Sequence, residues 1–109
     1  MTLETRTVEA KGIRISWQED GIEVGRAFVY IMHNDLHQQP FALMEDVYIN
    51  EAFRGQGLGS ELVRQVIKLA QDANCYKLIA TSRESRPKVH ALYQRLGFTK
   101  HGVEFRINL

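Results

Sequence analysis

The stretch Val47-Tyr48-Ile49-Asn50-Glu51-Ala52-Phe53-Arg54-Gly55-Gln56-Gly57-Leu58-Gly59 decides how this chain is laid out. On its N-terminal side, residues Phe41 to Asn50 read as a strand, with Leu43, Glu45, Val47 and Ile49 on one face at a period of two. On its C-terminal side the period changes. Leu58, Leu62, Val66, Leu69 and Ala73 recur at helical spacing, and Val63, Ile67 and Ala70 widen the stripe, which predicts a helix from about Gly57 to Asn74. The glycines at 55, 57 and 59 therefore join a strand to a helix. They let the backbone turn sharply and approach a ligand with no Cβ in the way.

A helix opened in this manner leaves several backbone N–H groups unpaired at its start. The helix dipole adds partial positive charge at the same place. Together these suit a phosphate or diphosphate, and Arg54 can add a charge-assisted contact. Glycine spacing alone is equally compatible with a plain turn before a helix. Two other phosphate loops do not fit. No Lys-Ser or Lys-Thr follows these glycines, as a P-loop requires. The spacing is G-x-G-x-G after three strands, not G-x-G-x-x-G at a first βα turn.

Toward the N-terminus, Ile13, Ile15 and Trp17 alternate with Arg14 and Ser16 as in a half-buried strand. Glu19-Asp20-Gly21 reads as a tight hairpin turn, and Ile22 to Met32 as the returning strand. Asn34 to Pro40 is polar and reads as a loop. Toward the C-terminus, Tyr76 to Thr81 reads as a short strand. Val89, Leu92, Tyr93 and Leu96 mark a second helix, with Pro87 in its first turn and Gly97 closing it in a left-handed conformation. Val103, Phe105, Ile107 and Leu109 alternate with Glu104, Arg106 and Asn108 as a terminal strand. The order predicts an α+β (mixed α/β) fold. In it the strands at Phe41 and Tyr76 are joined by a right-handed crossover and so run parallel.

With 109 residues, 44% of them hydrophobic and 25% charged, the chain is expected to form one globular domain over 1–109. A net charge of +1 gives no reason to expect nucleic acid or an anionic membrane as partner. The single cysteine, Cys75, excludes an intrachain disulfide. Met1 to Arg6 lacks an apolar signal-peptide core, and no apolar run approaches the ~20 residues of a membrane span. A cytoplasmic location is expected. His33 and His37 lie four apart, but Asn34 and Asp35 between them suggest a turn, so no metal site is expected.

Val47 to Gly59 resembles the main motif of the GNAT N-acetyltransferase superfamily, R-x-x-G-x-G/A after a hydrophobic strand. Arg54, Gly57 and Gly59 stand at its fixed positions. A second stretch, Arg86-Pro87-Lys88-Val89-His90-Ala91-Leu92-Tyr93-Gln94-Arg95-Leu96-Gly97-Phe98, is similar to the family's later helix, which ends in Tyr-x-x-x-Gly-Phe. The resemblance implies a mainly antiparallel mixed sheet with one parallel, splayed strand pair and two main helices. It implies an acetyl-CoA-dependent N-acetyltransferase acting on a primary amine by direct transfer, without a metal. Backbone groups of Arg54, Gly55, Gln56, Gly57, Leu58, Gly59 and Ser60 would hold the pyrophosphate. Those of Val47, Tyr48 and Ile49 would pair with the pantetheine arm.

Further roles follow by the same resemblance. Tyr93 matches the tyrosine placed near the thioester sulfur, a candidate acid, although it also falls on the apolar stripe with Val89 and Leu96. Glu45 is the candidate base. On a largely apolar face its pKa would be raised, and it shares that face with Leu43 and Val47 if no bulge intervenes. Asp46, on the other face with Tyr48, is the weaker alternative. Arg86 replaces an asparagine common in the family and is expected to contact the cofactor differently. The other weak signals have plainer readings: Ser85 caps a helix, and Trp17 and Phe28 belong to the core. Fuller members carry a helical segment between their first two strands, for which the hairpin at Asp20-Gly21 leaves no room. The acceptor site would then be open, or completed by a second copy as a homodimer. A non-catalytic acyl-CoA-binding module on the same fold is the rival reading.

Overall fold

The computed structural model describes all 109 residues. Its sheet has four strands in the order β1-β2-β3-β4: β1 at Ala10–Glu19, β2 at Ile22–Met32, β3 at Phe41–Ile49 and β4 at Leu78–Ala80. Helix α1, Leu58–Asp72, links β3 to β4, and α2, Pro87–Arg95, follows β4. β1 and β2 are antiparallel, as are β2 and β3, whereas β3 and β4 run parallel. The mixed sheet with a parallel pair and two helices is the expected α+β architecture.

The β1–β2 hairpin forms because Asp20 and Gly21 both accept a positive φ, 50° and 79°. That is the backbone a two-residue turn needs to match the twist of its strands. Ile13 and Ile15 then face the same side as their partners Val29 and Ala27. α1 packs on that side with Leu62, Val63, Val66 and Ala70 buried. With Ala27, Val29, Ala42 and Met44 they form the core cluster. Each fully buried Leu or Val contributes about 1.5–3 kcal/mol of transfer free energy. α1 stops two residues short of the predicted Asn74. There Asn74 takes a left-handed φ of 60°, and its N–H and that of Cys75 bond the carbonyls of Gln71 and Ala70. α2 closes in the same way on Gly97, φ 107°, with Gly97 N–H to Gln94 and Phe98 N–H to Tyr93.

Four expectations need correction. β3 does not keep one face throughout: the register opposite β2 shifts between Arg26 and Phe28, and Asp46 has φ 55°. This bulge inserts an extra residue and reverses the alternation. Ala42, Met44, Val47 and Ile49 therefore face the core, while Leu43 and Glu45 face away from it. β4 is shorter than Tyr76 to Thr81. Its ladder to β3 holds only for Ala42 to Met44 against Leu78 to Ala80. No side chain caps α2, since Arg86, not Ser85, stands at its cap position. Finally, Val103 to Leu109 forms no strand, and Phe105 is 92% exposed. Alternation describes side-chain period, but a strand exists only where a neighbour pairs its backbone, and here the open edge of β4 has none.

Candidate functional site

The turn between β3 and α1 is assembled stepwise. Asn50 Oδ1 accepts from the Ala52 N–H at 3.0 Å and starts a 3-10 turn over Glu51–Phe53. Gly55 and Gly57 then take φ values of 85° and 81°, a region that strains any residue with a Cβ. Gly57 stands at the cap of α1 with no side-chain bond to the first turn. The helical ladder begins with Glu61 N–H to the Gly57 carbonyl at 3.1 Å. As a result none of the backbone N–H groups from Gly55 to Ser60 has an acceptor within the fold. Gly59 is not demanded by packing, for a Cβ there would meet only Ile49 Cγ1, at 3.8 Å.

Arg54 behaves differently from its glycine neighbours. Its N–H bonds the Glu51 carbonyl at 3.3 Å. Its Nε donates to the Ile49 carbonyl at 2.8 Å, and the guanidinium lies 5.5 Å from the Tyr48 ring centre. The side chain thus folds back on β3 and braces the turn. Arg26 stacks on the other available contact with that ring, 5.0 Å away, and pairs with Asp46 at 3.3 Å. Asp46 is therefore committed to an ion pair.

Beyond Met44 and Ala80 the parallel strands part. An open groove of about 1670 Å³ lies there, walled by Glu45 and Val47 of β3, Ala80 and Ser82 of β4 and its exit, Arg86 at the cap of α2, and Tyr93 within α2. The groove brings Glu45, Val47, Arg86 and Tyr93 together; Tyr48, Ile49 and the glycine turn are not in its walls. Tyr93 packs against the core cluster and the Phe98 ring, 5.3 Å between centres. Burial pushes its hydroxyl above the ordinary phenol range, and the nearby Glu45 carboxylate adds to the shift. Glu45 itself is exposed and forms no ion pair, not enclosed among apolar side chains as expected.

Sequence reasoning missed Trp17. It is 37% exposed, not core, and its Nε1–H donates to the Leu58 carbonyl at 3.0 Å, in the first turn of α1. The signal available was faint: Trp17 lies on the apolar alternation of β1, which reads as burial. Phe28 also lies outside the core, half-buried and stacked with Tyr30.

The Acetyltransferase (GNAT) family matches residues 4–98. A protein described as probable glucosamine 6-phosphate N-acetyltransferase 2 of Oryza sativa subsp. japonica is 39% identical over 64 residues, 59% of this chain and 37% of its own. The aminoglycoside N(6')-acetyltransferase type 1 of Stenotrophomonas maltophilia is 33% identical over 95 residues, 83% of this chain and 62% of its own. This chain thus spans less than two thirds of either relative. A Trypanosoma brucei acetyltransferase of known structure superposes with a TM-score of 0.80 at 28% identity, over 90% of this chain and 69% of that one. A family match that runs across all four strands and both helices, with the glycine turn where the family motif puts it, makes this chain a member of the GNAT acetyltransferase family.

Proposed function

We propose that the protein transfers an acetyl group from acetyl-CoA to a primary amine, in a single direct step. The observation that carries this is the row of acceptor-less amides from Gly55 to Ser60 at the start of α1. Such amides offer a diphosphate several charge-assisted bonds with no side chain to displace. The parted edge of β3 at Val47, Tyr48 and Ile49 is the place for the pantetheine arm, which would pair there as an added strand. The Ile49 carbonyl already accepts from Arg54, so Val47 and Tyr48 carry most of that pairing. Arg86, in the groove wall, takes the place of the family's asparagine beside the arm.

In this reading the neutral amine nitrogen forms a bond to the thioester carbonyl carbon, the carbon–sulfur bond breaks, and the sulfur leaves with the electron pair. Tyr93, held protonated by burial and by the charge of Glu45, gives its proton to that sulfur. Glu45, directly or through water, takes the proton the amine loses. The relatives named for glucosamine 6-phosphate and aminoglycosides favour an amine carried on an amino sugar as acceptor.

Calorimetric titration with acetyl-CoA, followed by thiol release with a panel of amino sugars, polyamines and peptides, tests the proposal. Binding plus CoA release with an amino sugar is the expected result. Binding with no release from any amine leaves the acyl-CoA-binding module as the correct account. Equal affinity for ATP and acetyl-CoA would refute both.

A further inference from the structure

We propose that Trp17 is a positioning residue for the diphosphate site, acting through the Gly59 amide; this rests on the acetyl-CoA reading above. The Leu58 carbonyl that accepts the indole N–H at 3.0 Å belongs to the same peptide unit as the Gly59 N–H. A hydrogen bond received by a peptide carbonyl polarises that unit and makes its N–H a stronger donor. The Gly59 N–H is one of the amides with no acceptor in the fold. The indole therefore acts from behind the helix start on a donor that faces the ligand.

The surroundings of Trp17 fit this role. No side chain caps α1 at Gly57, and the indole, donating to the Leu58 carbonyl, is the side chain that bonds the backbone of the first turn. Trp17 sits where the β1–β2 register shifts, opposite Gly25. A Cβ at Gly25 would lie 3.5 Å from Trp17 Cδ1 and 2.6 Å from Ile49 Cδ1. Glycine at that buried position thus gives room to the two side chains beneath the turn. Ile49 in turn touches the space beside Gly59. Trp17 also leaves 37% of its surface in water, so core burial alone does not account for its place.

The test compares acetyl-CoA with S-acetylpantetheine, which carries the same thioester and arm but no diphosphate. Trp17→Phe is expected to weaken acetyl-CoA binding roughly 1.3- to fourfold, the loss of about 10–30% of one hydrogen bond to a charged group, while kcat/KM with S-acetylpantetheine stays unchanged. A structural role alone would lower both together, and that result would overturn the proposal, as would unchanged acetyl-CoA affinity. Should the variant fold poorly, the wild-type chain supplies the readout. It holds a single tryptophan, so its indole N–H gives one proton resonance. Acetyl-CoA should move that resonance and S-acetylpantetheine should not; equal shifts, or none with bound acetyl-CoA, reject the role of Trp17. A wild-type protein that fails to bind acetyl-CoA at all refutes the functional reading first.

Discussion

The glycine turn at Gly55 to Ser60 and the Tyr93–Glu45 pair belong to the same proposed reaction but are built by different means. The turn is made of backbone: two glycines at positive φ, a 3-10 turn fixed by Asn50, and amides left open by the start of a helix. The pair is made of side chains brought together from β3 and α2, across a groove open to water. The first is fixed by local chemistry within ten residues of chain. The second depends on a bulge and on the docking of a distant helix. That difference predicts that cofactor binding is the sturdier property and that turnover is the more easily lost one.

The largest effect is expected at Gly57. Valine there must adopt a φ of 81°, which costs about 1–2 kcal/mol for any L-residue and more for a β-branched one. It would also turn the amides away, each worth about 1.5–3 kcal/mol to a charged ligand. Acetyl-CoA affinity measured by calorimetry should fall at least ~100-fold. On the other side, Tyr93→Phe should lower kcat roughly 100-fold by loss of the acid, with acetyl-CoA affinity unchanged. Glu45→Gln should lower kcat about tenfold or more in the same assay, and an unchanged rate would assign the proton to water alone.

The pH dependence sharpens the contrast further. Tyr93 holds its proton more tightly when folded than when unfolded. Its contribution to stability is therefore complete below the ordinary phenol pKa near ~10 and is lost as pH rises through its raised folded value. Thermal unfolding between pH 9 and 12, wild type against Tyr93→Phe, should show a shallower alkaline decline in the variant. At the acid end, the hydrogen bonds from Arg14 and Ser16 hold the Glu23 carboxyl down to about 2. Its stabilising effect is present above the usual carboxylate pKa and disappears as pH falls toward 2. The smallest effect is expected at Phe105, 92% exposed. Phe105→Ser should change stability by less than ~0.5 kcal/mol, whereas Leu62→Ala in the buried stripe of α1 should cost about 2–5 kcal/mol in urea unfolding.

What was legible in the sequence follows the same division. The hairpin at Asp20-Gly21, the glycine turn and both helices could be read because short-range chemistry dictates them. Glycines at positive φ, a proline at the start of α2 and the 3.6-residue stripe of α1 each have local causes. The faces of β3 could not be read, because the bulge at Asp46 depends on pairing with β2. For the same reason Glu45 was assigned to an apolar face and stands exposed instead. The terminal alternation from Val103 also failed, since period alone does not supply a neighbouring strand. Trp17 was passed over because its partner, the Leu58 carbonyl, lies 41 residues away and backbone acceptors leave no mark in a sequence.

The most direct test follows the backbone amides of residues 55 to 60 by nitrogen–proton NMR during titration with coenzyme A. Large downfield shifts and slowed hydrogen exchange are expected at Gly55, Gln56, Gly57, Leu58, Gly59 and Ser60 as the diphosphate takes their open N–H groups. Saturable binding that leaves those six resonances in place would contradict the proposed diphosphate site.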